Sequence, residues 1–273
     1  MLKYRILSAA VLVPLVIFLV LQLSNAQFAF VLMFIMALAA WEWGGLLPLS
    51  GQFQRVGYAV VVFLLLAGIW QFAKFDALVW SIHWLAFVWW VVALVWISLP
   101  DMLKKTTGQS LIIKALIGGL LFASTWLGLV ELHSRPDNGP YWVLFLLILI
   151  WVADTGAYFS GRAFGKNKLA PAVSPGKTWE GVYGALIACF ICAWCMSNYI
   201  DLDVGMLPGF LLVCMLVVMF SIVGDLLESL LKRHQGIKDS SQLIPGHGGI
   251  LDRIDSLLAA APLFSLGLHW IQL

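Results

Sequence analysis

The residues best suited to chemistry lie in one stretch, 221–256, between two long apolar segments. Two groups in it repeat one spacing, D-x-x-E-S and D-x-x-D-S, in Asp225, Glu228 and Ser229 and in Asp252, Asp255 and Ser256. Helix positions i, i+3 and i+4 share a face, so each group presents two carboxylates and a hydroxyl side by side. Clustered carboxylates suit Mg²⁺, a hard cation that takes oxygen ligands and bridges to phosphates.

Basic residues and a glycine-rich turn separate the two acidic groups. Lys232 lies one further turn along the first acidic face, and Arg233, Lys238 and Asp239 follow it. The turn reads Pro-Gly-His-Gly-Gly at 245–249. Lysine and arginine side chains bind phosphates, as do backbone amides that glycine leaves accessible. The stretch therefore predicts a site for a metal and phosphates together.

The composition of the 273 residues indicates an integral membrane protein. Apolar residues make up 62% of the chain and charged residues 11%, whereas a soluble domain is about 25% charged. A net charge of +2 gives no case for nucleic-acid binding. The cysteines lie in apolar segments and are interpreted as packing residues, not as a zinc site or disulfide; they are Cys189, Cys192, Cys195 and Cys214.

Segments long enough to cross a bilayer need about 20 mostly apolar residues. We identify nine: Ile6–Leu23, Phe28–Leu47, Val56–Phe72, Leu78–Leu99, Leu111–Val130, Tyr141–Phe159, Val182–Tyr199, Met206–Leu227 and Ile250–Ile271. The third is short and the first two are weakly separated, so eight spans is the alternative. The first segment starts like a signal peptide, but its apolar core is long and lacks an A-x-A site, so we interpret it as a retained span.

Loop charge orients these spans. With nine spans and the N-terminus inside, the cytoplasmic basic residues are Lys3, Arg5, Arg55, Lys104, Lys105, Lys114, Arg162, Lys166, Lys168, Lys177, Lys232, Arg233, Lys238 and Arg253. Only Lys74 and Arg135 fall on the other side. This positive-inside bias predicts an all-α, polytopic membrane helix bundle of about nine transmembrane helices, with the N-terminus cytoplasmic and the C-terminus outside.

The same topology brings carboxylates from separate spans to one membrane surface. They are Glu42, Asp154, Asp225, Glu228, Asp252 and Asp255. Acids in spans are costly and mark function by default, although helix–helix hydrogen bonding is an alternative for any one of them. We therefore divide the chain into N-terminal helices, 1–140, as a scaffold and dimer surface, and a catalytic region, 141–273, with cytoplasmic loops 161–181 and 228–250.

The first of these loops follows a polar patch that begins at Asp154, and it ends in Ser174-Pro-Gly-Lys-Thr-Trp-Glu-Gly181. The ending is like the tail of a P-loop. That motif, however, requires glycine where Pro171 stands, and a preceding strand. These two mismatches argue against a Walker-type ATPase.

The same run predicts a helix start. Ser174 and Pro175 begin the next helix in this interpretation, with Glu180 in its first turns. A helix N-terminus beside Lys177 and Thr178 favours an anion. The alternative interpretation is a capped helix with a solvated basic loop.

These motifs together resemble the signature of the phosphatidate cytidylyltransferases, also called CDP-diacylglycerol synthases. The resemblance lies in S-x-x-K-R-x4-K-D at 229–239, P-G-H-G-G-x-x-D-R-x-D at 245–255, D-T-G-A-Y at 154–158 and S-P-x-K-T-x-E-G at 174–181. Before Asp154 the resemblance is limited to hydropathy and size. Gly176 stands where many members carry a second lysine, so that phosphate contact lacks its residue here.

The resemblance implies that CTP and phosphatidic acid react to give CDP-diacylglycerol and pyrophosphate. It also implies Mg²⁺, with a second cation such as K⁺ left open, a homodimer, and a bacterial inner-membrane location with the active site facing the cytoplasm. Asp225 and Asp252 are our first choices as metal ligands because they come from different helices. Glu228 and Asp255 are second choices, as ligands or orienting groups.

Lysine and arginine would hold the phosphates in this scheme, through Lys177, Lys232, Arg233 and Lys238. The remaining predicted nucleotide-binding residues are Asp154, Ser174, Thr178, Glu180, Asp239, His247, Gly248 and Gly249. No general base is needed, because the attacking phosphate is already largely ionised. Two roles stay open: His247 acts as an acid or ligand or simply holds its turn, and Asp239 binds metal or pairs with Lys238 or Arg253.

Other functions are less consistent with the motifs. A CTP-dependent lipid kinase acting on a polyprenol or phytol would share the apolar character, but the full basic and acidic signature argues against it. CDP-alcohol phosphotransferases carry D-G-x-x-A-R, which is absent. A transporter or channel would place its acids near the midplane, often within inverted repeats, and the chain shows neither arrangement.

Overall fold

A computed structural model describes all residues except 1, 48, 50, 73–74, 103, 105–107 and 137, and it leaves the side chains of 2–7 and 9 undescribed. The charges of Lys3, Arg5, Lys74 and Lys105 therefore lie outside it. The described helices are α1 (Leu2–Gln22), α2 (Asn25–Leu46), α3 (Gln52–Phe72), α4 (Asp76–Ser98), α5 (Gly108–Ser134), α6 (Gly139–Phe164), α7 (Trp179–Tyr199), α8 (Leu207–His234) and α9 (Leu251–Trp270).

The helices confirm a polytopic membrane bundle. Seven of them, α2 to α8, are long and apolar enough to cross a membrane by length and composition, within the described residues. The apolar part described for α1 is the shorter segment Ala10–Gln22, and α9 begins with Asp252, Arg253 and Asp255. Each of the nine predicted segments corresponds to one of the helices.

Helix α8 extends about two turns beyond the predicted end at Leu227. Leu230 and Leu231 are buried and continue the apolar side of the helix. The predicted loop 228–250 is therefore wrong over residues 228–234, which are helical, while 235–250 connects α8 to α9. Lys232 and Arg233 belong to the helix, which fixes them relative to the acids one and two turns earlier.

A small β-hairpin occupies most of the other predicted loop, so the fold is not purely helical. Strands β1 (Lys168–Ala170) and β2 (Ser174–Thr178) pair antiparallel. The prediction that Ser174 and Pro175 start a helix is wrong. Proline suits this position because a two-stranded hairpin has only edge strands. Helix α7 starts after Thr178, whose Oγ accepts a hydrogen bond from the Gly181 amide at 3.2 Å.

Helix α9 lies at the centre of the bundle and packs against α8 and α5. Its segment from Leu257 to Phe264 is buried. Close packing depends on glycine, because a Cβ at Gly224 of α8 would lie 2.5 Å from the Asp255 carbonyl oxygen. Small residues that let backbones approach are typical of helix contacts in membranes. The close approach brings the last turns of α8 alongside the first turns of α9.

We call the end of the bundle where these turns meet the site end. Side-chain contacts join the ends of α2 and α8, the start of α9 and the hairpin there, and the end of α6 lines a cavity with them. The opposite end is closed by other residues, including Arg135, which donates to the carbonyl of Leu273.

Candidate active site

Lys232 is the centre of a buried cluster at the site end. Its Nζ lies 2.6 Å from Glu228 Oε2 and 2.6 Å from Asp252 Oδ1. The side chains of Glu228 and Asp252 are only 1% and 6% exposed. Since Glu228 precedes Lys232 by one helical turn and Asp252 begins α9, this single ammonium group joins the two acidic motifs. We call Glu228, Lys232, Asp252 and Ser240 the buried cluster.

Asp252 uses both of its carboxylate oxygens in this cluster. Oδ1 accepts from Lys232, and Oδ2 accepts from the Ser240 amide at 2.9 Å, the Ser240 hydroxyl at 2.8 Å and the Gly249 amide at 2.8 Å. Hydrogen bonds to a charged acceptor are among the stronger ones in proteins. Asp252 therefore orients Lys232 and holds the loop that connects α8 to α9.

Glu42 of α2 holds the same loop from the other side. Its Oε1 accepts from the Ser241 hydroxyl at 2.6 Å and the Ile250 amide at 3.0 Å, and its Oε2 accepts from the Leu251 amide at 2.6 Å. The Ser240 hydroxyl lies 3.1 Å from Oε2 as well. A carboxylate at a helix N-terminus satisfies amides that lack an intrahelical partner. Glu42 thus ties the first half of the chain to the start of α9.

The glycine-rich turn fits closely around these carboxylates. Gly248 has a φ of +81°, a conformation that favours glycine. A Cβ at Gly249 would lie 2.5 and 2.6 Å from the two Glu42 oxygens. The turn therefore requires glycine at 248 for its backbone conformation and at 249 for its proximity to Glu42.

An open cleft of about 470 Å³ lies beside the buried cluster. Its lining residues come from α6, the hairpin, α7, α8 and α9: Ala153, Asp154, Ala157, Tyr158, Gly161, Arg162, Leu169, Gly176, Lys177, Thr178, Gly181, Val182, Ile222, Asp225 and Ser256. The predicted site residues Asp154, Lys177, Thr178 and Asp225 thus share one cavity. Charged groups and apolar walls meet there, as a substrate with both characters would require.

An ion pair joins the hairpin to α8 across this cleft. Lys177 Nζ lies 2.6 Å from Asp225 Oδ2, and the two side chains are 25% and 31% exposed. The Ser229 hydroxyl donates to Asp225 Oδ1 at a longer 3.3 Å. Asp225 therefore has fewer donors than Asp252 and remains accessible from the cleft.

The acids form a continuous series between the cleft and the buried cluster. Asp255 interacts electrostatically with Asp225 on one side and with Glu228 on the other. Glu228 Oε1 is buried and has no hydrogen-bond partner. Within the described residues, no group of three or more His, Cys, Asp and Glu side chains is arranged as a ready metal site. The series nevertheless contains an unpartnered carboxyl oxygen near a second acid, Asp255.

The other predicted site residues lie around this centre. Arg233 donates from Nε to the Val173 carbonyl of the hairpin at 3.4 Å, while Lys238 and Asp239 are exposed on the loop. The ring Nδ1 of His247 lies 2.6 Å from the Ser8 hydroxyl of α1, which ties the turn to the first helix.

Glu180 and Ser174 help to form the frame of the hairpin: Glu180 fastens its start, and Ser174 lies within its second strand. The Glu180 carboxylate accepts from the Asn167 amide and from its side-chain nitrogen, the latter at 2.8 Å. Ser174 forms part of β2 and does not line the cleft. The structure therefore brings Asp154, Lys177, Thr178 and Asp225 together in the cleft, and places Glu180 and Ser174 in the frame around it.

Comparison with known proteins identifies the family. The model of the cytidylyltransferase family matches residues 3–271. A phosphatidate cytidylyltransferase of Pseudomonas aeruginosa is 45% identical over 97% of this chain and 96% of its own. One from Haemophilus influenzae is 40% identical over 97% and 98%, and one from Staphylococcus saprophyticus is 42% identical over 51% and 54%. The chain therefore belongs to the phosphatidate cytidylyltransferase family.

Proposed function

We propose that this protein condenses CTP with phosphatidic acid to form CDP-diacylglycerol and pyrophosphate, in phospholipid biosynthesis. The observation that supports it most directly is the cleft, where the Lys177–Asp225 ion pair stands beside apolar walls at the end of a membrane bundle. The similarity to phosphatidate cytidylyltransferases along nearly the whole chain points to the same activity.

The proposed reaction joins two anions. A non-bridging oxygen of the lipid phosphate attacks the α-phosphorus of CTP, and the bond from that phosphorus to the α–β bridging oxygen breaks. Pyrophosphate leaves with the electron pair of that bond. Because no proton must be removed from the attacking oxygen, the residues of the site have to position the phosphates and neutralise their charge.

Lys177 and Lys232 are assigned to this neutralisation, Lys177 from the wall of the cleft and Lys232 from beside it. Both ammonium groups are held by carboxylates at 2.6 Å, which fixes their positions before substrate arrives. Arg233 and Lys238 are exposed at the end of α8 and on the loop after it, and we assign them to the departing pyrophosphate. Thr178 caps α7, and Gly181 and Val182 near the start of that helix also line the cleft.

The acids fit a bound divalent cation. The unpartnered Glu228 Oε1 and its neighbour Asp255 are carboxylate donors of the kind Mg²⁺ prefers, and Asp225 is accessible from the cleft. We assign Asp225, Asp255 and Glu228 to hold it. Asp252 remains a predicted ligand, but its observed contacts make it an orienting group. Bound Mg²⁺ would neutralise phosphate charge, and a second cation such as K⁺ is a further part of the proposal.

The proposed location is a bacterial inner membrane, with the site end facing the cytoplasm, where CTP is made. The excess of basic residues predicted for that side supports this orientation. It places the N-terminus inside and the C-terminus outside across nine transmembrane helices. A homodimer and the division at residue 140 are likewise proposals.

The test is turnover of purified protein in detergent, with cytosine-labelled CTP, phosphatidic acid and Mg²⁺. We expect labelled lipid and pyrophosphate in equal amounts, and loss of both when EDTA removes the metal. Reactions without phosphatidic acid, or with a polyprenol in its place, are the controls. Folded protein that makes no labelled lipid would refute the proposal, and a phosphorylated polyprenol with released CDP would identify a lipid kinase instead.

A further inference from the structure

Two side chains stand at the rim of the cleft, near the end of α6. Arg162 donates from Nη1 to the Tyr158 hydroxyl at 2.8 Å, and its guanidinium carbon lies 6.0 Å from the centre of the tyrosine ring. Both residues line the cleft. Tyr158 also exposes 56% of its surface. The cleft is therefore open on the side where Tyr158 is exposed.

The electrostatics of this rim differ from those of the rest of the cleft. Lys177, the other cation in the lining, is paired with Asp225. Arg162 contacts a neutral hydroxyl, and within the described residues no carboxylate lies within ion-pair distance of it. A guanidinium has five N–H donors, so several remain for an anion. The planar fork of arginine matches the oxygens of a phosphate.

The surroundings of Arg162 indicate which phosphate it meets. The apolar lining residues Ala153 and Ala157 lie one or more turns before Arg162 in α6, and Ile222 lies about three turns before the end of α8. On the outer surface near Arg162, Phe159 and Phe164 are 65% and 69% exposed. Exposed tyrosine rings near the ends of spanning helices lie at the level of lipid head groups, and Tyr158 is such a ring. An amphiphile at this rim would place its head at Arg162 and its tails along the apolar wall.

We propose that Arg162, oriented by Tyr158, binds the phosphate of the lipid substrate at the mouth of the cleft. The inference rests on the proposed function and deepens it by assigning separate phosphate contacts to the two substrates. Arg162 holds the lipid phosphate from the lipid side. Lys177 and Lys232 face the nucleotide from within and beside the cleft.

The kinetic test measures KM for phosphatidic acid and for CTP separately, in wild type and in Arg162→Gln. Losing a charged hydrogen-bonding group should raise the KM for phosphatidic acid about tenfold and leave that for CTP unchanged. Arg162→Lys keeps the charge but not the planar fork, and its KM for phosphatidic acid should lie between those of wild type and Arg162→Gln. Tyr158→Phe should give a smaller rise, because Arg162 loses its hydroxyl partner. Lys166→Gln, which removes a nearby charge outside the cleft lining, should change neither value.

A binding measurement separates this inference from the proposed function. Calorimetry with dioctanoyl phosphatidic acid, CTP or inorganic phosphate, without turnover, should show weaker binding of the short-chain lipid alone in Arg162→Gln. A raised KM and weaker binding for CTP would assign Arg162 to the nucleotide and overturn the inference, as would unchanged values for both substrates. Wild-type protein without turnover would refute the proposed function, while the binding result would still decide the role of Arg162.

Discussion

The site contains two lysine–carboxylate pairings of nearly equal length and very different surroundings. Lys177 and Asp225 lie 2.6 Å apart in the wall of an open cleft, with side chains 25% and 31% exposed. Lys232 lies 2.6 Å from Asp252 and from Glu228, and its side chain is 10% exposed. Sequence alone ranks Asp225 and Asp252 equally, and only the structure separates them.

The difference in burial predicts different roles for the two pairings. A buried charge whose partner is removed is left unpaired in a medium of low dielectric constant, so its surroundings depend on the partner. An accessible pair contributes little to stability because water screens it, but it is available to substrate. Substitutions in the buried cluster should therefore lower stability, whereas substitutions in the cleft pair should lower turnover.

The largest effect on stability is expected from Lys232→Met. The change removes the ammonium group that Glu228 and Asp252 share, so two nearly buried carboxylates lose their counter-ion. We expect the free energy of unfolding to fall by about 3–5 kcal/mol. Thermal unfolding in detergent, followed by the loss of helical circular dichroism, measures it.

A double variant tests the cause. Glu228→Gln combined with Lys232→Met removes one of the two stranded charges, so part of the lost stability should return. Lys104→Met, at an exposed lysine paired with Asp101, is the matched control and should leave the unfolding midpoint unchanged. An equal midpoint for wild type and Lys232→Met would contradict the structural role of the buried cluster.

Asp225→Asn should act on turnover instead. The neutral amide cannot balance Lys177 or attract a cation, and positioned charge in an active site is worth about 10²–10³ in rate. We expect turnover of CTP and phosphatidic acid to fall by about that factor, with an unfolding midpoint close to wild type. Formation of radiolabelled lipid at saturating substrate concentrations measures turnover, and thermal unfolding measures the midpoint.

The control for that change is Asp76→Asn, which alters an exposed acid in the first turn of α4 at the opposite end. It should leave turnover and midpoint unchanged. If Asp225→Asn unfolded as early as Lys232→Met, the proposed division between an accessible and a buried pair would not hold.

Hydropathy predicts the helices because every span must be apolar over its whole length, and a helix satisfies its own backbone. That the two acidic motifs lie at one end of the bundle follows from the alternating direction of the spans. The predicted span ended at Leu227 because Glu228 and Lys232 interrupt the apolar run in a hydropathy profile. They remain helical because each is paired, and because leucines on the same helix are buried.

The contacts that hold the loop between α8 and α9 could not be predicted. Glu42 is about 200 residues away in sequence from Ser240 and Ser241, whose hydroxyls lie 3.1 and 2.6 Å from its carboxylate, and no local pattern joins residues so distant. Ser240 has no feature of type or spacing to distinguish it. The hairpin was missed for a different reason, since Ser-Pro is also a common start of a helix.

The smallest expected effect is a difference in stability between alanine substitutions at two glycines with different surroundings. A Cβ at Gly249 would lie 2.5 and 2.6 Å from the Glu42 oxygens, whereas one at Gly176 has no atom within 4 Å. Because Glu42 is itself held by three donors, it has little room to move. Gly249→Ala should therefore lower stability by about 1–3 kcal/mol, and Gly176→Ala should not change it.

Thermal unfolding of the two alanine variants side by side checks this difference, and proteolysis of the loop between α8 and α9 locates it. Cleavage there should accelerate in Gly249→Ala only, because the crowded Glu42 carboxylate can no longer accept from both the Ile250 and Leu251 amides in their present positions. If both variants behaved like wild type, Glu42 would not fasten this loop. Equal losses in both would mean that the hairpin is packed as tightly as the turn, against the open space around Gly176.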